Sequence, residues 1–117
     1  MNKIWLAKPE PHDFPAAADY LELLLPATQV ATFVKQLKKA KTQIKKAKDI
    51  LRASELPLLP KENMHVTANL EKFKDGKKLS PLLLVRVKGK LIIADGYHRI
   101  CASYYLSEDL EVPCRLV

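Results

Sequence analysis

Leu91-Ile92-Ile93-Ala94-Asp95-Gly96-Tyr97-His98-Arg99-Ile100-Cys101-Ala102 begins as an apolar run and turns, across one acid and one glycine, into a helical pattern. The first four residues read as a buried strand. Tyr97 to Leu106 reads as a helix with Ile100, Cys101, Tyr104 and Tyr105 on its apolar face. Free N–H groups at such a helix start favour an anion, and the macrodipole adds to the attraction. Gly96 lets the backbone approach a ligand without a Cβ in the way. Arg99, one turn in, offers a planar fork for phosphate or carboxylate. His98 can donate a hydrogen bond or transfer a proton near neutral pH. Asp95 can cap the helix, orient Arg99 or His98, or hold a metal. Each has a plainer role: Asp95 as a cap alone, Arg99 as its ion-pair partner, His98 as a structural hydrogen-bonder and Tyr97 as packing.

Upstream, Leu82 to Val87 and Lys90 to Ala94 flank Lys88-Gly89, the pattern of a hairpin. His65 to Phe73 fits a short helix closed by Asp75-Gly76. Leu56-Pro57-Leu58-Leu59-Pro60 is a stiff apolar loop, since each proline excludes its predecessor from the helical region. Pro15 suits a helix first turn and Ala16 to Leu25 supplies the body. Pro26 ends that helix and opens a second, with Val30, Phe33, Val34 and Leu37 at helical spacing. Propensity extends it through Lys38 to Lys48, against a competing short strand near Gln43 to Ala47. Glu111 to Val117 closes the chain as a strand. The expectation is a small α/β domain, residues 1–117, with a helical segment over 1–43 and a mixed-sheet core over 44–117.

Composition narrows the classes. A chain of 117 residues with 48% hydrophobic and 28% charged residues is globular, neither disordered nor collagenous. Its apolar runs, Leu23 to Ala27 and Pro81 to Val85, are too short to cross a bilayer. No basic flank leads into an apolar leader, so a cytoplasmic protein is expected. Cys101 and Cys114 have no metal-site spacing, and no metal ligand set is expected. The net charge of +7 is uneven: residues 32–90 carry sixteen basic and five acidic side chains, net +11, and each flank is net −2. Lys35, Lys38, Lys39, Lys45 and Lys46 belong to a run of seven lysines that can bind a phosphate backbone or simply form a solvated face. Leu21, Leu23, Leu24 and Leu25 exceed one helix stripe, so part of that set must bury against the sheet or a second copy, a homodimer through the N-terminal helices.

The run Ile93 to Ala102 resembles the Gly-x-x-Arg-x-x-Ala box of the ParB/sulfiredoxin superfamily. Leu79 to Val85 is similar to that family's strand before the box, Val112 to Val117 to its closing strand, and Ala47 to Leu51 to its opening strand and loop. The resemblance covers residues 44–117 and favours the strand near residue 45. Members include CTP-binding partition proteins, ATP-using sulfiredoxins and a free-serine kinase, which share a nucleotide phosphate at the helix after the box. The resemblance therefore implies a nucleotide of the ATP or CTP type at Gly96, Tyr97, His98 and Arg99, where Asp95 would either organise these residues or bind Mg²⁺. Sulfiredoxins carry a cysteine where this chain has Tyr97, so sulfinic-acid reduction is not expected. Partition proteins continue into a helix-turn-helix domain, and none is read in these residues. Phosphotransfer or nucleotide hydrolysis would involve His98 and an acid, Asp95 or Asp49. The competing class is a non-catalytic nucleic-acid- or protein-binding module using Lys35 to Lys48.

Overall fold

In the computed structural model, which describes residues 4–117, the chain runs α1 (Asp13–Leu21), α2 (Ala27–Lys39), β1 (Gln43–Lys46), α3 (Ala47–Ser54), α4 (Met64–Lys74), β2 (Leu82–Val87), β3 (Lys90–Asp95), α5 (Tyr97–Leu106) and β4 (Glu111–Leu116). Lys88 and Gly89 have φ of 51° and 77°, so the β2–β3 hairpin closes through a two-residue type I′ turn. The four strands form one mixed sheet in the order β1-β4-β2-β3, with β2 and β4 parallel and the other pairs antiparallel. This is the small α/β fold read from the sequence.

Strand alternation sorts the side chains of β2 between two cores. Leu82 and Leu84 join Ile93, Val112 and Cys114 under α3, α4 and α5. Leu83 and Val85 join Ala94 on the other face, under Phe14, Ala17 and Leu21 of α1 and Val30 and Leu37 of α2. A strand buried on both faces has no polar alternation, which is why Leu82 to Val85 is a continuous apolar run. The N-terminal helices are thus one outer layer of an α/β/α sandwich. Trp5 bridges Leu79 in parallel and packs edge-on against Phe73, centroids 5.6 Å apart, lengthening the sheet's approach to β2.

The strand favoured near residue 45 is present: the lysine-rich helix stops at Lys39, and β1 pairs with β4 from Gln43 to Lys46. The Arg115 guanidinium donates to the carbonyls of Leu37 and Lys38 at 3.2 and 2.9 Å, satisfying the end of α2 from a strand 77 residues away. Two expectations need correction. Ala47 to Leu51 is not strand and loop but the start of α3, because Ala47, Ile50 and Leu51 form a buried helical stripe. Also, α1 begins at Asp13 and ends at Leu21, rather than running from Ala16 to Leu25. The Glu10 amide donates to the Asp13 carboxylate at 2.9 Å, starting the helix early. A turn over residues 22–25 then leaves Leu23 81% exposed while Leu25 packs on the second core. Asn63 caps α4, its Oδ1 accepting from the amides of His65 and Val66.

Candidate functional site

Gly96 ends β3 and begins α5 with φ of 114°, a conformation that L side chains rarely adopt. A Cβ there would lie 2.7 Å from Leu82 Cγ and 3.1 Å from Arg99 Nη2, so only glycine fits. Because Ile100 N–H donates to the Gly96 carbonyl, the amides of Tyr97, His98 and Arg99 precede the first intrahelical bond, and no side chain caps them. Asp95 is not the cap. Its carboxylate instead takes Arg99 Nη2 at 2.5 Å, one turn along the helix, with both side chains mostly buried. Burial pushes the Asp95 carboxyl above its ordinary range, opposed by the charge and hydrogen bond of Arg99.

His98 stacks on His65 of α4, ring centroids 4.7 Å apart and tilted by 49°. Burial, and then the neighbouring His65, hold the His98 imidazole below its ordinary pKa, so it is neutral at pH 7. Tyr97 lies against His98 and donates its hydroxyl proton to the Pro57 carbonyl at 2.5 Å, so that hydroxyl anchors the proline loop.

These residues line a polar cleft of about 360 Å³ between α1, α4 and α5. Residues 95 to 99 all reach it. Glu10, His12, Asp13, Ser80, His65, Asn69 and Lys72 line it too, and the sequence pattern of the junction did not announce them. The three histidines of the chain all meet here. That coincidence of a scarce residue type was the available signal, but 33 positions separate His65 from His98 and more separate His12 from either. Ser80, buried, donates its hydroxyl to Glu10 Oε1 at 3.0 Å, and His12 Nε2 lies 3.4 Å from Asp13 Oδ1.

Other candidates lie elsewhere. Asp49 pairs with Arg52 on α3 at 3.4 Å and borders a separate, largely apolar depression. Lys35, Lys38 and Lys39 are exposed on α2, with Lys38 5.7 Å above the Phe14 ring. Lys45 and Lys46 are exposed on β1, and Lys46 shares Asp109 with Lys48. The lysine run therefore forms two clusters on different elements. Cys101 and Cys114 are buried free thiols, with Cys114 pushed up to about 11 by burial. Among the described residues no cluster of three or more His, Cys, Asp or Glu side chains is arranged to hold a metal ion, and no helix is long and apolar enough to cross a membrane. Comparison with protein-family models, curated proteins and solved structures finds no match to this chain.

Proposed function

We propose that the cleft binds a phosphate-bearing small molecule of the nucleotide class, with its phosphate at the N-terminus of α5. The observation that carries this reading is convergence. Tyr97, His98 and Arg99, whose amides no side chain caps, line the same cleft that gathers Lys72 and the chain's three histidines. In this reading Gly96 admits the phosphate, Arg99 is aimed by Asp95, and Lys72 adds charge from α4. The neutral His98 accepts a proton from an attacking hydroxyl or water in a phosphotransfer or hydrolysis step. Asp95, committed to Arg99, acts as a positioning residue. The resemblance to the ParB/sulfiredoxin box supports the same placement.

Titration with ATP, CTP and ADP, with and without Mg²⁺, tests this through the amide resonances of residues 95–100. The expected result is a saturable shift of Tyr97, His98 and Arg99 with at least one nucleotide. No shift at millimolar nucleotide would reject the reading. The competing nucleic-acid reading draws on Lys35, Lys38, Lys39 and Lys45, none of which pairs with a carboxylate among the described residues. It requires DNA or RNA binding that weakens steeply with salt.

A further inference from the structure

The two edges of the sheet are built differently. β1 forms one edge with four exposed residues, two of them lysines, and a short charged edge resists strand addition. β3 forms the other with six residues, no proline, and Leu-Ile-Ile-Ala at its centre.

The outward groups of β3 can be identified. Arg86 N–H donates to the Val117 carbonyl at 2.8 Å and Val117 N–H to the Leu84 carbonyl at 3.2 Å, so Leu84 and Arg86 direct their backbone toward β4. Val85 and Val87 therefore bond β3, where they stand opposite Ile92 and Lys90. That leaves the N–H and C=O of Leu91 and Ile93 directed away from the sheet. Neither residue makes a main-chain bond to a loop or helix among the described residues.

A groove of about 390 Å³ follows this edge, walled by Tyr20 and Leu24 on one side and by Ser54 and Leu56 on the other. Leu24 is 51% exposed and Leu56 38%, a large apolar surface beside unpaired main chain. Lys88 and Lys90 line the groove, and no carboxylate does. It shares no lining residue with the polar cleft.

We propose that β3 accepts an extended segment of another protein, apolar at its centre and acidic at the end that lies beside the β2–β3 turn, which adds to the sheet as a fifth strand. Main-chain bonds to Leu91 and Ile93 supply the pairing, alternate apolar side chains fill the space beside Leu24 and Leu56, and the acidic end beside the β2–β3 turn meets Lys88 and Lys90.

The probe is an acetylated, amidated peptide Asp-Glu-Val-Ile-Val-Glu-Asp, added to the full chain and followed by amide hydrogen exchange. In the free protein the unpaired Leu91 and Ile93 amides are expected to exchange faster than the β2-bonded amides of Lys90 and Ile92. The peptide slows Leu91 and Ile93 at least tenfold, and Lys88→Glu with Lys90→Glu weakens its binding tenfold or more. The same peptide N-methylated on alternate residues fails to bind. Unchanged exchange at millimolar peptide overturns the proposal, and so does equal binding of the N-methylated form, which would show an apolar groove without strand pairing. Protection of Leu91 and Ile93 that grows with protein concentration alone, without peptide, assigns the edge to a second copy and overturns it as well.

Discussion

Arg99 meets Asp95 through one guanidinium nitrogen, which leaves the remainder of its planar fork for a ligand. A lysine keeps the charge but not the fork, so Arg99→Lys should fold normally and weaken phosphate binding by about 1.5–3 kcal/mol, the scale of a hydrogen bond to a charged group. Calorimetric titration with the nucleotide that shifts residues 95–100 measures this. Lys39→Ala, on exposed α2, should match wild type in the same titration. A fully retained affinity in Arg99→Lys would move the site elsewhere. His98 gives a second prediction. Its folded pKa lies below the ordinary 6.5, so on acidification the unfolded chain takes up the proton first. Stability should therefore fall as pH drops from 6.5 through the folded value. Asp95 has the opposite sign: its raised carboxyl adds stability at low pH that is lost as pH climbs from 3.8 through the folded value. Urea midpoints between about pH 7 and pH 5 should decline in wild type and decline less in His98→Asn. An unchanged slope in the variant would remove His98 as the cause.

At the scale of single elements, the end of α2 depends on a side chain from the last strand. Arg115→Gln removes the donors to Leu37 and Lys38 and the 3.4 Å contact with Thr42. We expect a loss of about 1–3 kcal/mol in chemical denaturation, with faster amide exchange concentrated in β1. A loss spread evenly over the sheet would contradict a capping role. The proline loop is held in a similar way, by Tyr97 and Tyr105 hydroxyls on the carbonyls of Pro57 and Leu59. Replacing both tyrosines by phenylalanine should cost about 0.5–1.5 kcal/mol per bond and open residues 56–60 to proteolysis; an intact loop would show that packing alone holds it. These elements also mark how far sequence reading reaches. The hairpin was legible because Lys88-Gly89 carries its own backbone requirement, and α5 because Gly96 and the apolar face are local. The break after Lys39 was legible only through the strand that the resemblance favoured near residue 45, since lysine propensity alone continues the helix and Arg115, which holds its end, lies far along the chain. The junction residues of the cleft could be read in one run, whereas Glu10, His12, His65 and Ser80 reach it only through packing.

Across the whole molecule, the two cores make the N-terminal helices indispensable. Removing residues 1–40 would expose Leu83, Val85 and Ala94, all buried against α1 and α2 in the full chain. A fragment of residues 41–117 should keep secondary structure, lose dispersed amide resonances and bind a hydrophobic dye. A fragment with native dispersion would mean that the sheet needs only one covering layer. The cleft also takes Glu10, His12, Asp13 and Ala16 from the removed segment. The strand at the centre of both cores has a mechanical consequence. Ile4 and Leu6 bond Leu79 just before β2 begins, and Val117 bonds Leu84 and Arg86 toward its far end. Tension applied between residues 4 and 117 would run along β2, loading those bonds in shear rather than peeling them one at a time. In an optical trap the sheet should then give way in a single high-force step, while a pull between residues 43 and 95, attached to the two outer strands, should unzip it at much lower load.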